Sequence, residues 1–176
     1  MTLKSCAAVA MIALAGCTSA TTDPGAHHFS AEIRRTAYGV PHIKAEDFGG
    51  IGYGFGYASA EDNLCEILDR MLTVKAERAR YLGPGENDAN IASDFYHQRV
   101  IQAGETEELL AGPESSVDTP SADARLLAAG YVAGINRFIR EKGASITDPR
   151  CKGQPWVKEI AEVDFWRHMF VGQTID

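Results

Sequence analysis

The sequence predicts an α+β chain that is mostly helical and opens with a β-hairpin. Three observations predict it. Residues 29–44 alternate apolar and polar side chains on either side of a Tyr38-Gly39 turn signal. A helical apolar period then runs over residues 47–82. A second helical period fills residues 121–142 behind a serine cap.

Residues 1–16 read as a leader rather than as part of the fold. Lys4 gives a short positive region, residues 7–15 are almost wholly apolar, and Leu14-Ala15-Gly16-Cys17 closes the run. The run is too short to cross a hydrocarbon core about 30 Å thick as a helix, so it reads as a secretory signal. Small residues ahead of a cysteine resemble the bacterial lipobox. That predicts cleavage between Gly16 and Cys17, acylation of Cys17 and a periplasmic protein held to a membrane by lipid. The alternative is an ordinary signal peptide with an incidental cysteine. Residues 17–28 read as a flexible tether, and residues 29–176 as one folded region.

In the hairpin, Phe29, Ala31 and Ile33 share one face of the first strand, residues 29–35. The second strand covers residues 40–44, where Pro41 confines it to an edge or a strand start. An isolated hairpin is marginal in water, so these strands need a sheet supplied from elsewhere. Asp47 is placed to cap the first helix. Gly49, Gly50, Gly52, Gly54 and Gly56 crowd its opening turns, each costing about 1 kcal/mol of helix propensity relative to Ala. Close approach of another backbone is the usual compensation, and Gly52, Gly56 and Ala60 lie on one face to receive it. A phosphate-cradling loop is excluded by spacing, because no G-x-G-x-x-G offset and no Lys-Ser follows.

Leu64, Leu68, Met71 and Leu72 continue the period until Gly83-Pro84-Gly85 stops it. Residues 86–120 carry a weaker pattern, with an apolar-aromatic stretch at residues 91–96, a short helix at residues 106–110 and a loop at residues 113–120. Ser121 caps the next helix, whose stripe is Leu127, Tyr131, Gly134, Ile135 and Phe138. Cys151-Lys152-Gly153-Gln154-Pro155-Trp156 reads as a loop, and residues 163–171 open a last helix.

The formal charge is −7 and no basic run exceeds Arg34-Arg35, which argues against nucleic acid as a partner. Export changes the cysteine arithmetic. Cys6 leaves with the leader and Cys17 is taken by lipid, so Cys65 and Cys151 remain in an oxidising compartment. A disulfide is the favoured reading, closing a loop of about 85 residues and contributing ~4 kcal/mol in the chain-entropy model. Two buried free thiols are the alternative. Neither cysteine has a second Cys or His at ligand spacing, and no metal or cofactor is expected. His27-His28 lies in the tether, His42 follows a proline, and His97 and His168 stand alone. Glu61, Asp62 and Glu77 have Arg70, Arg78 and Arg80 for neighbours, so salt-bridge or capping roles outweigh acid–base ones.

Five ordered phrases carry a resemblance. They are Ile33-Arg34-Arg35-Thr36-Ala37-Tyr38-Gly39-Val40-Pro41-His42-Ile43, then Gly52-Tyr53-Gly54-Phe55-Gly56-Tyr57-Ala58-Ser59-Ala60-Glu61-Asp62-Asn63, then Glu77-Arg78-Ala79-Arg80-Tyr81-Leu82-Gly83. Gly130-Tyr131-Val132-Ala133-Gly134-Ile135-Asn136-Arg137-Phe138 and Gly153-Gln154-Pro155-Trp156 complete the set. Together they resemble the penicillin acylase branch of the N-terminal nucleophile hydrolases, closest in flavour to acyl-homoserine-lactone acylases. The likeness covers residues 30–175, and Cys65 and Cys151 look like that subgroup's paired cysteines.

The resemblance implies an α-chain region of an αββα fold, made as a precursor that cuts itself into a small α chain and a large β chain. It implies hydrolysis of the amide bond of N-acyl compounds, acyl-homoserine lactones or penicillin-like amides, by the Ser at the new β-chain N-terminus. The α-amino group of that Ser serves as base through a water, near its ordinary pKa of about 8. The β chain is therefore the expected partner. Ser30, Ser59, Ser93, Ser115, Ser116, Ser121 and Ser145 sit in expected caps, loops or strands, and none is assigned as nucleophile. The phrase Phe170-Val171-Gly172-Gln173-Thr174 matches one that helps wall the acyl pocket in such enzymes, which makes Phe170, Gln173 and Thr174 the substrate-binding candidates. Plain helix packing is the alternative for all three. A different class of function remains open beside the enzyme: a non-catalytic lipoprotein, or a gene fragment, that keeps the α-chain scaffold as a structural or binding module.

Overall fold

The structure is a computed structural model that describes residues 28–113, 115, 116 and 118–171, with backbone alone at 171. The leader, Cys17, Gln173 and Thr174 lie outside the described residues. In chain order the elements are β1 Glu32–Arg35, β2 Pro41–Lys44, α1 Phe48–Val74, α2 Arg78–Leu82, α3 Ala89–Ala103, α4 Glu105–Ala111, α5 Ala122–Lys142 and α6 Glu162–Val171. Single 3₁₀ turns stand at Glu86–Asp88 and Gly143–Ser145.

The two strands pair antiparallel, Ile33 opposite Ile43 and Arg35 opposite Pro41. Their turn closes by Gly39 N–H donating to Thr36 O at 2.9 Å, with Gly39 at φ +81°, where a side chain would be strained. β1 is shorter than the alternation predicts. Phe29 leaves the strand and lays its ring over Gly49 and against Tyr53, 6.3 Å between centroids.

Asp47 caps α1 as expected, its Oδ1 accepting from Gly50 N at 2.7 Å. The glycines work on two faces. Gly52 and Gly56 abut the carbonyls of Leu127 and Tyr131 on α5, while Gly130 and Gly134 return the contact to Gly49 and Tyr53. Gly50 and Gly54 receive the hairpin, with Ser30, Ala31, Ile43 and Ala45 where a Cβ would project. α1 thus meets α5 main chain to main chain and, on its other side, the small and branched side chains of the hairpin together with the Ser30 carbonyl.

The predicted continuous helix to residue 82 does not form. α1 kinks at Asn63, whose φ of −142° is not helical, and it ends at Val74. Ala76 turns left-handed at φ 54°, and Glu77 N–H donates back to Leu72 O at 2.9 Å. A new helix, α2, then starts because Asp94 reaches across from α3 to accept from Arg78 N and Ala79 N at 2.9 and 2.8 Å. The expected stop at residues 83–85 holds, with Gly83 and Gly85 at φ 75° and 78°. α3 is a fifteen-residue helix where the sequence showed only an apolar-aromatic stretch. The expected short helix is α4.

Ser121 caps α5, its Oγ accepting from Ala124 N at 3.2 Å. The core lies between α1 and α5 and is closed by the segment before α6. It contains Leu64, Leu68, Met71, Leu72, Val132, Ile135, Ile139, Trp156 and Ile160. Each large apolar side chain there contributes about 1.5–3 kcal/mol by leaving water. Cys65 and Cys151 are joined, with Cα atoms 5.6 Å apart. The Asn136 amide completes the closure, donating to Ile160 O at 2.9 Å and accepting from Ile160 N at 2.8 Å.

Candidate functional site

Between the hairpin face and the α5 face, α1 has a flank that the described residues leave open. Phe48, Ile51 and Phe55 fall there at helical spacing and are 49%, 36% and 51% exposed. From Phe55 a series of rings crosses the molecule. Phe55 meets Tyr131 at 5.4 Å between centroids, Tyr131 meets Phe165 at 5.3 Å, Phe165 meets Trp166 at 5.6 Å and Trp166 stacks on Phe170 at 5.7 Å. These separations lie in the favourable aromatic range. Burial raises the Tyr131 hydroxyl pKa, with a hydrogen bond from Ser59 opposing it, so that phenol stays protonated and anchors rather than ionises.

The opposite flank of α1 is polar and closed. Arg137 on α5 donates to Glu141 at 2.6 Å and to Tyr53 Oη at 2.9 Å, and Tyr57 Oη donates to Glu141 at 3.0 Å. The bond to Arg137, then that to Tyr57, lowers the Glu141 pKa. Nearby, Arg35 reaches from the hairpin to the α1 kink. It contacts Glu61 Oε2 at 2.6 Å and Asp62 Oδ1 at 3.0 Å, and donates to the carbonyls of Gly39 and Ala58. One guanidinium therefore ties the hairpin turn to the helix. An open cleft of about 350 Å³ adjoins this clamp, lined by Asn63, Phe138, Lys142 and Asp148 among others.

A third cluster sits under α6. Asp164 is buried and accepts from Arg167 Nη1 at 2.9 Å, Arg167 Nη2 reaches Glu107 on α4, and Lys75 pairs with Glu77 at 3.3 Å. Burial raises the Asp164 pKa, with Lys75 and Arg167 opposing.

The histidines and serines have structural surroundings. His97 is buried, its Nδ1 2.8 Å from Ser93 O, and His42 is exposed on β2. Ser59 and Ser93 lie inside α1 and α3, not in the expected caps, loops or strands. Among the described residues, no group of three or more His, Cys, Asp or Glu side chains is arranged to hold a metal ion. Of the predicted substrate-binding residues, Phe170 is half-buried in α6 on Trp166, and Gln173 and Thr174 are outside the described residues. The sequence reading did not single out Trp166, Phe55 or Phe165. The aromatic spacing at Phe165-Trp166 and Phe170 was the signal available for them.

A family model described as penicillin amidase matches residues 30–166. The aculeacin-A acylase of Actinoplanes utahensis is 44% identical over 141 residues, covering 79% of this chain and 18% of that protein. An acyl-homoserine lactone acylase, PvdQ of Pseudomonas putida, is 36% identical over 164 residues, covering 91% of this chain and 20% of that protein. Among solved structures, the thermostable penicillin G acylase of Alcaligenes faecalis is similar at a TM-score of 0.64 and 28% identity, over 84% of this chain and 73% of that one. The chain spans 18–20% of the length of these two curated relatives.

Proposed function

This chain belongs to the penicillin amidase family, and on that premise we propose that it is the α-chain region of an N-acyl amide hydrolase. The substrate class is an amine acylated by a fatty or aryl acid, acyl-homoserine lactones first among them. The catalytic Ser is the N-terminal residue of a β chain that pairs with this one. Its hydroxyl attacks the amide carbonyl while the proton passes through a water to the α-amino group. The tetrahedral oxyanion is held by β-chain donors, the amine leaves with a proton, and a second water hydrolyses the acyl ester to the free acid.

The work of the α chain is to frame that site. The hairpin supplies two strands to a sheet completed by the β chain, whose inner face covers Phe48, Ile51 and Phe55. Phe170, in the last turn of α6, receives the acyl group together with Gln173 and Thr174. The observation that supports this reading most is the apolar flank beside a two-stranded sheet: a hairpin packed on α1, next to three half-exposed large side chains. Such a surface asks for further strands across it.

Lys4, the apolar residues 7–15 and the phrase Leu14-Ala15-Gly16-Cys17 support export and acylation at Cys17. The protein then works in the periplasm, lipid-anchored to a membrane. To test the function, the protein is purified from its host, its chains are sequenced from their N-termini, and amine release from N-acyl-homoserine lactones and N-phenylacetyl amides is measured. A co-purifying polypeptide that begins with Ser, together with amine release, is expected. A folded chain that co-purifies with no such polypeptide and hydrolyses none of these amides overturns the proposal.

A further inference from the structure

One turn of α6, residues 164–167, ties it to α5 and α4. Phe165 packs on the Tyr131 ring of α5. Trp166 is 7% exposed, and its indole N–H donates to Glu162 Oε1 at 3.1 Å. Asp164 and Arg167 form the ion pair described above, which runs on to Glu107 of α4. A buried pair of this kind adds little net stability over apolar side chains of equal volume, yet losing one partner is strongly destabilising. A slip of α6 by one residue would leave both charges without partners. The charges therefore fix the register of the helix, and the rings fix its tilt.

Phe170 lies one turn beyond Trp166, and the two rings are stacked at an interplanar angle of 23°. The back of the Phe170 ring thus rests on a side chain that is itself buried and tethered. A binding wall holds its shape only as well as the residues supporting it hold theirs. We infer that Trp166 is a positioning residue that holds the Phe170 ring at a fixed depth and thereby sets which acyl-chain lengths the enzyme accepts. The inference rests on the reading of Phe170 as a wall of the acyl pocket. Trp166 contacts no substrate itself. It acts through Phe170, with Glu162 and the Asp164–Arg167–Glu107 chain keeping its own place.

The test uses the two-chain enzyme and a series of N-acyl-homoserine lactones graded in acyl-chain length, with kcat and KM read separately. In Trp166→Leu, the ratio of kcat/KM between the longest and shortest acyl chains shifts about tenfold, the size of effect that one methylene has in an apolar pocket. The shift is carried by KM. Trp166→Phe, which keeps a ring behind Phe170, restores most of the original ratio. Glu162→Gln, at an exposed position, weakens the tether while keeping the indole and shifts the ratio in the same direction by a smaller factor. It stands in if Trp166→Leu fails to assemble. An equal fall in kcat/KM for every acyl chain, or an unmoved ratio in a variant that keeps its Tm, overturns the inference. A wild-type enzyme that hydrolyses neither a member of the series nor an N-phenylacetyl amide overturns the functional reading as well. A wild type that is active, with ratios that never move, overturns this inference alone.

Discussion

An alanine at Gly56 would drive its Cβ into the Tyr131 carbonyl, and at Gly143 it would meet only Ile139 Cγ2 at an ordinary 3.6 Å. The two sites therefore respond with opposite sign. Gly56→Ala gains about 1 kcal/mol of helix propensity but forces α1 and α5 apart, and the net result is a loss of about 2 kcal/mol or more. Gly143→Ala, at a φ of −52° that any residue adopts, gains about 0.4–1 kcal/mol by restricting the unfolded chain. Urea midpoints of the two variants check this. His168 supplies a pH dependence. Burial, then the charge of Arg70, holds its imidazole below the ordinary histidine value. The folded chain binds that proton more weakly than the unfolded chain. Its contribution is present above a pH of about 6.5 and is lost as pH falls below it. Asp164 has the other sign, since burial raises its carboxyl and the folded state takes up that proton first, gaining stability toward the carboxylate range. Between about pH 7.5 and 6 the histidine governs, so His168→Gln should flatten the fall in urea midpoint seen in the wild type over that interval.

α2 is a helix of five residues started by a carboxylate from another helix. Asp94→Ala leaves two amide donors without an acceptor and removes the bridge between α2 and α3. A loss of about 1–2 kcal/mol is expected, with faster amide exchange at Arg78 and Ala79 than at Leu68. The same contact explains why the break near Ala76 was invisible in the sequence. The local pattern continues as helix on both sides, and what ends it is a cap supplied from residue 94. α3 was hidden for a related reason. Of its fifteen residues only His97 is buried, while Ile91, Phe95 and Tyr96 are exposed, so no core-facing stripe could announce it. Where an element's own chemistry decides its bounds, the sequence was enough. Asp47, Ser121 and the Gly83-Pro84-Gly85 stop each sit where they were expected, and the close approach at Gly52 and Gly56 was legible from their spacing. The answering approach of Gly130 and Gly134 to Gly49 and Tyr53 was not legible, because a contact across two helices leaves no mark in either one alone.

Across the whole molecule, the Cys65–Cys151 link joins the middle of α1 to the irregular segment that carries Trp156 and Ile160 over the core. Replacing both cysteines with serine should lower stability by about 2–5 kcal/mol, read as a drop in Tm, with the first loss of protection in residues 143–161. The candidate site was legible in part. Phe170 was singled out as a candidate by its phrase, whereas the ring series that it ends joins α1, α5 and α6, and three elements far apart in the chain share no common period. The glycine faces of α1 have a further bearing on what this architecture can become. Because α5 meets α1 through main-chain atoms, the separation of those two helices is set by peptide geometry and does not depend on which side chains occupy the flanks. The flank residues can then be exchanged for larger or smaller ones while the frame keeps its dimensions. An interface assembled on such a frame can change what it fits without having to relearn how to fold.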